Sequence, residues 1–330
     1  MVRIDLELRA PLNGWRLCRK RRLLNPLPAD NRHIMENYSP AARKSVAAMV
    51  AAAEADPRRA VAFQGAPGAY SHQAVREIHA NGLPLPCFSF EDTLDSVIEG
   101  RAECAVIPIE NSLHGRVADI HFLLPESGLK ITAEHFVRVR HCLLALPGTQ
   151  EVKEALSHPQ ALGQCRKYLR SHGIKPVGHA DTAAAAAEVV DIGKPAIGAV
   201  ASRLAGELYG LDVLEEGIED EHHNTTRFVV LAREERDPPA DRPAMTSFLF
   251  EVKNVPAALY KALGGFATNG INMTKLESYQ REASFNASEF YAEIEGRPTD
   301  PAVARALEEL RFHSKWVRLL GTYPQARERK

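Results

Sequence analysis

The sequence predicts an α/β protein in which two lobes face each other across a cleft, followed by a smaller βαββαβ unit. Three observations lead to this fold class. Twice, an apolar strand pattern is followed by a polar turn and a helix, which is typical of parallel α/β architecture. A charged, proline-rich stretch at 234–242 separates this region from the C-terminal part of the chain. Beyond it, strands and helices alternate in the βαββαβ order of a ferredoxin-like sandwich.

The composition limits the classes of protein to which the chain can belong. With 330 residues, 45% hydrophobic and 25% charged, the chain is long enough for two globular domains. A net charge of −1 gives the chain no overall excess of positive charge with which to bind nucleic acid, so no such partner is expected. No apolar run approaches the roughly 18 residues of a membrane span. The five cysteines lack paired spacing, so we expect reduced core thiols, no metal site and a cytoplasmic location.

The first 58 residues are expected to form an N-terminal extension that is partly disordered and contains one helix. That helix is predicted over 40–55, where alanines and apolar residues recur at helical spacing. Asp56-Pro57 ends it. The basic start of the chain lacks a continuous apolar stretch, so a secretory signal is not expected.

A glycine-rich turn at 65–68 follows the first predicted strand, 60–64, and leads into a helix through Ile78. Unsatisfied N–H groups and the helix dipole make the start of such a helix a potential anion site. Ser71 is predicted to cap this helix. The glycine spacing is not that of a dinucleotide fingerprint, so no nicotinamide cofactor is inferred. A purely structural turn is the alternative.

A second unit of the same kind follows a short strand predicted at 87–90. In it, an apolar strand at 104–109 runs into a polar cluster and then a helix. The cluster consists of Glu110, Asn111 and Ser112. Because ligands bind at the carboxyl ends of strands in parallel α/β sheets, these residues are site candidates.

The second lobe is predicted to open with the apolar strand 141–146. Asp181 is expected to cap the alanine-rich helix 183–190. A strand at 195–200 and a helix at 202–209 come next. The chain then returns towards the first lobe, so the site is expected between the lobes.

A polar cluster at 221–228 runs directly into the apolar series 229–232. Arg227 is a permanent planar cation suited to gripping a carboxylate through two hydrogen bonds, and the residues before it are neutral donors and acceptors. The alternative is a strand entry whose threonines bond to local backbone and whose arginine is solvated.

The C-terminal unit is predicted from its alternating patterns. Its strands and helices are expected at 246–252, 257–269, 272–278, 289–295, 301–312 and 316–323.

Five ordered motifs together resemble the prephenate dehydratase family, over about residues 59 to 323. The matching segments are 63–71 (FQGAPGAYS), 107–112 (IPIENS) with Gly115, 157–165 (SHPQALGQC), 181–183 (DTA) and 224–228 (NTTRF). The resemblance implies a two-lobed catalytic region like a type II periplasmic binding protein, then an ACT regulatory domain. The implied boundaries are 59–233 for the catalytic domain with its second lobe at about 140–212, 234–245 for a linker, 246–323 for the ACT domain, and 324–330 for a charged tail.

The resemblance also implies site residues. Thr226 is the implied catalytic residue, and Arg227 the implied holder of the substrate. Other implied substrate-binding residues are Asn224, Thr225, Phe228, Glu110, Asn111, Ser112, Ser71, Tyr70, Gln160, Ala161, Leu162 and Thr182.

The ACT resemblance implies a homo-oligomer, a dimer or tetramer, with L-phenylalanine as allosteric effector bound between subunits. The implied effector residues are Ala258, Leu259, Asn269, Gly270, Ile271, Asn272, Glu277 and Ser278. The chain differs from the family motifs at two places. Ala257 replaces the glycine of the family's Gly-Ala-Leu motif, and Tyr279-Gln280 replaces the Arg-Pro of its Glu-Ser-Arg-Pro motif. A domain that only dimerises the enzyme is the alternative.

The implied reaction removes carbon dioxide and a ring hydroxyl from prephenate to give phenylpyruvate, and it needs no cofactor. A threonine hydroxyl is a poor acid, so Thr226 would serve as a placed donor to the departing hydroxyl. His222 and His223 would be more conventional acids. Two other functions stay open: the same elimination on arogenate, and an anion-binding sensor module without turnover.

Overall fold

The computed structural model describes residues 38–253, 255–279 and 289–328. The part of the predicted N-terminal extension before residue 38 lies outside the described residues. Helix α1 (Pro40–Ala55) begins at the predicted position, where the Ser39 side chain accepts a hydrogen bond from the Ala42 N–H. This helix packs against both lobes, because Val46 lies in the core of the second lobe and Ala53 in the core of the first.

The described residues form the following elements. The strands are β1 (Ala60–Gln64), β2 (Leu83–Cys87), β3 (Cys104–Asn111), β4 (Gly115–Arg116), β5 (Lys130–Arg138), β6 (Cys142–Ala145), β7 (Glu154–Ser157), β8 (Lys175–Gly178), β9 (Ile197–Ala201), β10 (Asp212–Glu216), β11 (Thr225–Ala232), β12 (Ala244–Val252), β13 (Met273–Tyr279), β14 (Glu289–Glu295) and β15 (Ser314–Pro324). The helices after α1 are α2 (Tyr70–Ile78), α3 (Phe90–Ile98), α4 (Ala118–Ser127), α5 (Pro159–Gln164), α6 (Arg166–Ser171), α7 (Thr182–Ile192), α8 (Arg203–Tyr209), α9 (Ala258–Thr268) and α10 (Pro301–His313).

The first lobe is built on a sheet of order β2-β1-β3-β11-β5, with β4 paired to β3. Strands β2, β1 and β3 are parallel, whereas β11 runs antiparallel to both β3 and β5. Helix α2 packs on one face of this sheet, and α3 and α4 on the other. Both faces are therefore covered, as the apolar strand patterns require.

The second lobe has a sheet of order β10-β6-β9-β7-β8. Its core is rich in alanine because α7 lies close against the strands, with Ala183, Ala186 and Ala187 buried. The chain passes between the lobes after β5 and again before β11. The predicted pair of facing α/β lobes is confirmed by this arrangement.

The C-terminal unit has the element order β12-α9-β13-β14-α10-β15 and an antiparallel sheet of order β13-β14-β12-β15. This is the predicted ferredoxin-like fold. One face of the sheet packs under α9 and α10 around Phe248, Phe250 and Leu307.

The other face of this small sheet is also buried, because it docks on the first lobe. Met245, Leu249 and Tyr291 share one core with Ile107 and Val229 of the first lobe. Edge strand β15 approaches β5 closely. Gly321 permits this approach, since a Cβ there would clash with the carbonyl oxygen of Ile131.

The described segments contain no helix long and apolar enough to cross a membrane. Four of the cysteines are free and buried, as predicted for core thiols, and Cys18 lies outside the described residues. The strand predicted at 87–90 is wrong: β2 ends at Cys87 and α3 begins at Phe90. The reason is that Ser89 caps the helix by accepting a hydrogen bond from the Asp92 N–H.

Candidate active site

A cleft of about 610 Å³ opens between the lobes, where β3 ends and β11 begins. Its walls come from both lobes and from the two segments that connect them. Both apolar side chains, such as Phe90 and Val139, and neutral hydrogen-bonding side chains line it. The cleft can therefore hold a small molecule that has an apolar ring and polar groups.

Thr226 lies at the floor of this cleft in a chain of amide hydrogen bonds. The Asn111 Nδ2 donates to Thr226 Oγ1 at 3.0 Å and to Asn224 Oδ1 at 2.8 Å. Asn224 Nδ2 in turn donates to Gln164 Oε1 of the second lobe at 2.8 Å. Because Asn111 occupies an acceptor position of the threonine oxygen, the threonine proton is left to donate towards the cleft.

His141 lies beside this chain, on the segment that enters the second lobe. Its Nε2 is 2.7 Å from Gln164 Oε1, and its Nδ1 is 3.0 Å from the Tyr70 hydroxyl. Burial lowers the pKa of His141, although the hydrogen bond with Gln164 and the charge of Glu219 oppose the shift. The imidazole is therefore mainly neutral at pH 7 and acts here as a hydrogen-bonding group that ties the two lobes together.

Thr226 and Arg227 are neighbours on β11, so their side chains leave opposite faces of the sheet. Across the pairing with β3, Thr226 lies opposite Asn111 and Arg227 opposite Glu110. Arg227 is buried, and its Nε donates to Glu134 Oε2 at 2.8 Å. The prediction that Arg227 grips a substrate carboxylate is wrong for this structure, because strand alternation directs the guanidinium away from the cleft.

Glu110 shares the Arg227 face and is likewise turned from the cleft. Its carboxylate pairs with Lys275 of the C-terminal unit at 2.9 Å. The prediction of Glu110 as a substrate ligand is therefore also wrong here. Residue type suggested a binding role, but the face of the strand decided which partner each side chain meets.

The other predicted substrate residues divide between the cleft and its surroundings. Those that line the cleft are Thr226, Asn224, Asn111, Tyr70, Gln160, Ala161 and Thr182. Phe228 and Leu162 lie instead in the cores of the first and second lobes. Ser112 Oγ accepts from the Thr225 N–H at 2.9 Å, so these two residues hold the entry of β11 rather than lining the cleft.

Ser71 is buried inside α2 and does not cap it. The helix begins one residue earlier, at Tyr70, and its N-cap is Ala69, which has no side-chain oxygen. The predicted cap at Ser71 is wrong because the glycine turn ends sooner than expected. The turn instead meets the second lobe, where Ser202 Oγ donates to the Gly68 carbonyl oxygen and Tyr209 Oη to that of Pro67.

Several cleft residues were missed by sequence reasoning. They include His114, Arg116, His141, Gln164 and Asp181. Gln164 and Asp181 belong to two of the family motifs found in the sequence. That membership was the signal that could have marked them as cleft residues. Burial raises the pKa of Asp181, although the N–H groups of Ala184 and Ala183 at the start of α7 oppose the shift.

His222 and His223, the alternative acids, are exposed in the turn before β11 and do not line the cleft. Arg116 belongs to the cleft wall, but its guanidinium lies 3.4 Å from the Ser278 carbonyl oxygen and 5.2 Å from the centre of the Tyr279 ring. Among the described residues, no group of three or more His, Cys, Asp or Glu could hold a metal ion.

The predicted effector residues fall into two groups at opposite ends of β13. Asn269 and Gly270 end α9, and the Asn272 Nδ2 donates to Glu295 at 3.1 Å. Glu277 and Ser278 lie at the far end of the strand, near the first lobe. Ala258 begins α9, and Leu259 and Ile271 pack partly buried against the unit's core.

Comparison with known proteins defines the class to which this fold and cleft belong. Residues 61–236 match the family model for prephenate dehydratase. A bifunctional N-acyl-homoserine lactone acylase/prephenate dehydratase of Komagataeibacter europaeus is 50% identical over 269 residues, covering 81% of this chain and 96% of that one. The chain belongs to the prephenate dehydratase family, whose members are hydro-lyases.

Two further relatives show how wide the family is. An arogenate dehydratase/prephenate dehydratase of Arabidopsis thaliana is 39% identical over 285 residues, covering 82% of this chain and 73% of that one. The crystal structure of a prephenate dehydratase from Arthrobacter aurescens, in complex with L-Phe, has a TM-score of 0.74 and 30% identity, and the match covers 81% of this chain and 90% of that one.

Proposed function

We propose that this chain converts prephenate to phenylpyruvate in the cleft between its lobes, with Thr226 as the proton donor. The observation that carries the proposal is the Thr226 hydroxyl at the cleft floor, with its oxygen held by Asn111 at 3.0 Å. Turnover of prephenate by the full chain tests it. Absence of phenylpyruvate formation would contradict the assignment and favour a binding module.

The reaction breaks two bonds of the substrate. The ring carboxylate leaves as carbon dioxide, its bonding electrons enter the ring, and the ring C–O bond breaks as the hydroxyl takes up a proton and leaves as water. Thr226 places its O–H at the departing oxygen, so that proton transfer is coupled to C–O cleavage, and the threonine oxygen then regains a proton from solvent. General-acid assistance of this kind is worth on the order of 100- to 10,000-fold in rate.

The position of Arg227 on the other face suits this chemistry. The ring carboxylate becomes neutral carbon dioxide, so a guanidinium that gripped it would stabilise the substrate more than the transition state. Neutral hydrogen-bonding side chains such as Gln160 and Thr182, which line the cleft, can orient the substrate with a smaller penalty of that kind. The pyruvyl carboxylate keeps its charge throughout the reaction, so binding it tightly carries no such penalty.

The amino analogue arogenate is a second candidate substrate, because the name of the Arabidopsis relative includes both activities. The two substrates differ only where one has a keto group and the other an ammonium group. Side-by-side kcat/KM values on prephenate and arogenate decide between them. We expect prephenate to be preferred, and a higher value on arogenate would reverse the assignment.

Amide hydrolysis of N-acyl-homoserine lactones is a third candidate, since the name of the 50% identical relative includes an acylase. The apolar side of the cleft, with Phe90, Val117 and Val139, offers a surface for an acyl chain. Release of homoserine lactone from an acylated substrate, measured with the same preparation, tests this activity. Loss of that release in Thr226→Ala would place both activities in one cleft.

We also propose that residues 59–233 are the catalytic domain, and that residues 246–323 form an ACT domain that pairs with a second subunit and binds phenylalanine. The solved relative that contains L-Phe supports this. Within one subunit, Asn272 directly precedes the seven-residue β13 and Ser278 lies near its far end, roughly 20 Å apart by strand rise. One phenylalanine cannot touch both, so a site that uses both groups needs two subunits.

Regulation is tested by prephenate turnover of the full chain during a phenylalanine titration, with the molar mass measured in parallel. We expect an oligomer that is inhibited by phenylalanine. Equal rates at all phenylalanine concentrations would leave the unit with a pairing role only. A monomeric mass would contradict the shared site.

A further inference from the structure

The buried guanidinium of Arg227 joins the two units of the protein. Its Nη1 lies 2.8 Å from both carboxylate oxygens of Glu293 on β14, and its Nη2 donates to the Tyr323 hydroxyl on β15 at 3.0 Å. Glu134 of the first lobe binds its Nε at 2.8 Å. Arg227 is therefore fixed at three nitrogen atoms, two of which are held by the C-terminal unit.

A second layer of hydrogen bonds holds these partners in place. The Tyr291 hydroxyl donates to Glu293 Oε1 at 2.5 Å, and the hydroxyls of Tyr323 and Ser247 lie 2.7 Å apart. On the other side, Glu134 Oε1 accepts from the Ala326 N–H at 3.0 Å. Chains of satisfied buried hydrogen bonds of this kind make a local geometry rigid.

The backbone of β11 needs such support at this position. Its pairing with β3 shifts register between Arg227 and Phe228, one residue after Thr226. A register shift of this kind interrupts the regular ladder and increases local twist, so the direction of nearby side chains is less constrained by the sheet. The arginine side chain anchors the strand next to the residue whose hydroxyl enters the cleft.

Burying two carboxylates with one guanidinium is a poor route to stability, because desolvation offsets the attraction. A role in placing Thr226 accounts for the arrangement. We propose that Glu293, a residue of the C-terminal unit, is a positioning residue for Thr226 and acts through Arg227, so that this unit completes the active site of its own chain. The inference rests on the proposed role of Thr226 in prephenate turnover.

The test is Glu293→Gln in the full chain, which keeps the shape of the side chain and removes its charge. We expect kcat on prephenate to fall by about 10-fold with KM changed less than about 2-fold, since small misplacement of a reacting group lowers turnover steeply. Glu295→Gln is the matched control, because it changes the same residue type on the same strand, and the Glu295 carboxylate accepts from Asn272 rather than from Arg227. A wild-type kcat in Glu293→Gln would overturn the inference.

A positioning role is separated from a general structural one by repeating Glu293→Gln in the Thr226→Ala background. If Glu293 acts through the threonine hydroxyl, Glu293→Gln causes no further loss of the residual kcat of Thr226→Ala. An equal fold loss in both backgrounds would overturn the proposal. If Glu293→Gln unfolds the chain, Tyr323→Phe is the milder variant. A kcat loss in Tyr323→Phe that disappears in the Thr226→Ala background supports the inference. An unchanged kcat in Tyr323→Phe overturns it.

Different measurements test the proposed function and the positioning role of Glu293. Wild-type turnover of prephenate and its loss in Thr226→Ala concern the proposed function. The behaviour of Glu293→Gln relative to Glu295→Gln concerns the inference alone.

Discussion

The two faces of β11 differ in chemistry although their residues alternate along one strand. On the cleft face, Thr226 is half-buried and its partners are neutral amides. On the opposite face, Arg227 is buried among carboxylates and tyrosines that come largely from the C-terminal unit. Adjacent polar residues at the start of a strand can therefore serve separate tasks, here the proposed chemistry of Thr226 and the joining of two units by Arg227.

The largest expected effect is on stability, from Arg227→Ala. This change leaves Glu134 and Glu293 buried without their cation, and breaking such a pair costs about 3–5 kcal/mol. Urea unfolding of the full chain measures it. Arg138→Ala is the control, since this arginine is exposed on the neighbouring β5 and its loss should stay within about 0.5 kcal/mol. Similar losses in both variants would contradict the assigned difference between the faces.

The next effect is on catalysis, from the other face. Thr226→Ala should lower kcat by about 100-fold or more, because the proposed proton donor is lost, whereas Thr226→Ser should keep part of the rate. The unfolding free energy should change little in either variant. Near-normal turnover in Thr226→Ala would move the donor role to another group in the cleft.

Gly321→Ala should weaken the docking of the C-terminal unit on the first lobe. The added methyl meets the Ile131 carbonyl oxygen and forces β15 away from β5, at a cost of about 1–3 kcal/mol. Gly264→Ala, within α9 where a Cβ meets nothing within 4 Å, is the control and should be neutral or stabilising. Equal melting temperatures for Gly321→Ala and the wild type would show that the close contact is dispensable.

A smaller effect is expected from pH. Burial, and next the charge of Arg76, lower the pKa of His72 to about 4, and its Nδ1 accepts from the Gly68 N–H at 3.0 Å. The folded pKa lies below the unfolded value of about 6.5, so the unfolded chain binds the proton first. This contribution to stability is complete above pH 6.5 and is lost as the pH falls towards 4.

Between pH 7 and 5.5 the loss should be about 1 kcal/mol. Urea unfolding at both pH values measures it. His72→Asn retains an acceptor and cannot titrate, so its stability should depend less on pH. The exposed His223→Asn is the control. An identical pH dependence in His72→Asn would remove His72 as the cause.

Much of the fold follows from local patterns in the sequence. The helix at 40–55, the strand at 60–64 and the strand at 289–295 lie where alanine content, apolar runs and turn residues predict them. Errors arose at 87–90, where the capping residue Ser89 sets the helix start, and at Ser71, where the glycine turn ends sooner than expected. Shifts of one or two residues at a helix end are hard to foresee from sequence.

The candidate site was predicted less completely, for two physical reasons. The period of two in a strand already indicates that Thr226 and Arg227 diverge, and the chemistry of the arginine was given more weight than this geometry. The identity of its partner is a different matter. Glu293 is 66 residues further along the chain, and only the docking of one folded unit on another brings it to Arg227.

We expect Arg227 to serve the C-terminal unit rather than the substrate. Equilibrium binding of prephenate to Thr226→Ala, in which turnover is slow, and to Thr226→Ala/Arg227→Lys tests it most directly. We expect dissociation constants within about 2-fold of each other, together with a lower unfolding free energy in the double variant. A dissociation constant raised by about 10-fold or more in the double variant, corresponding to at least about 1.4 kcal/mol, would contradict it and return Arg227 to the substrate.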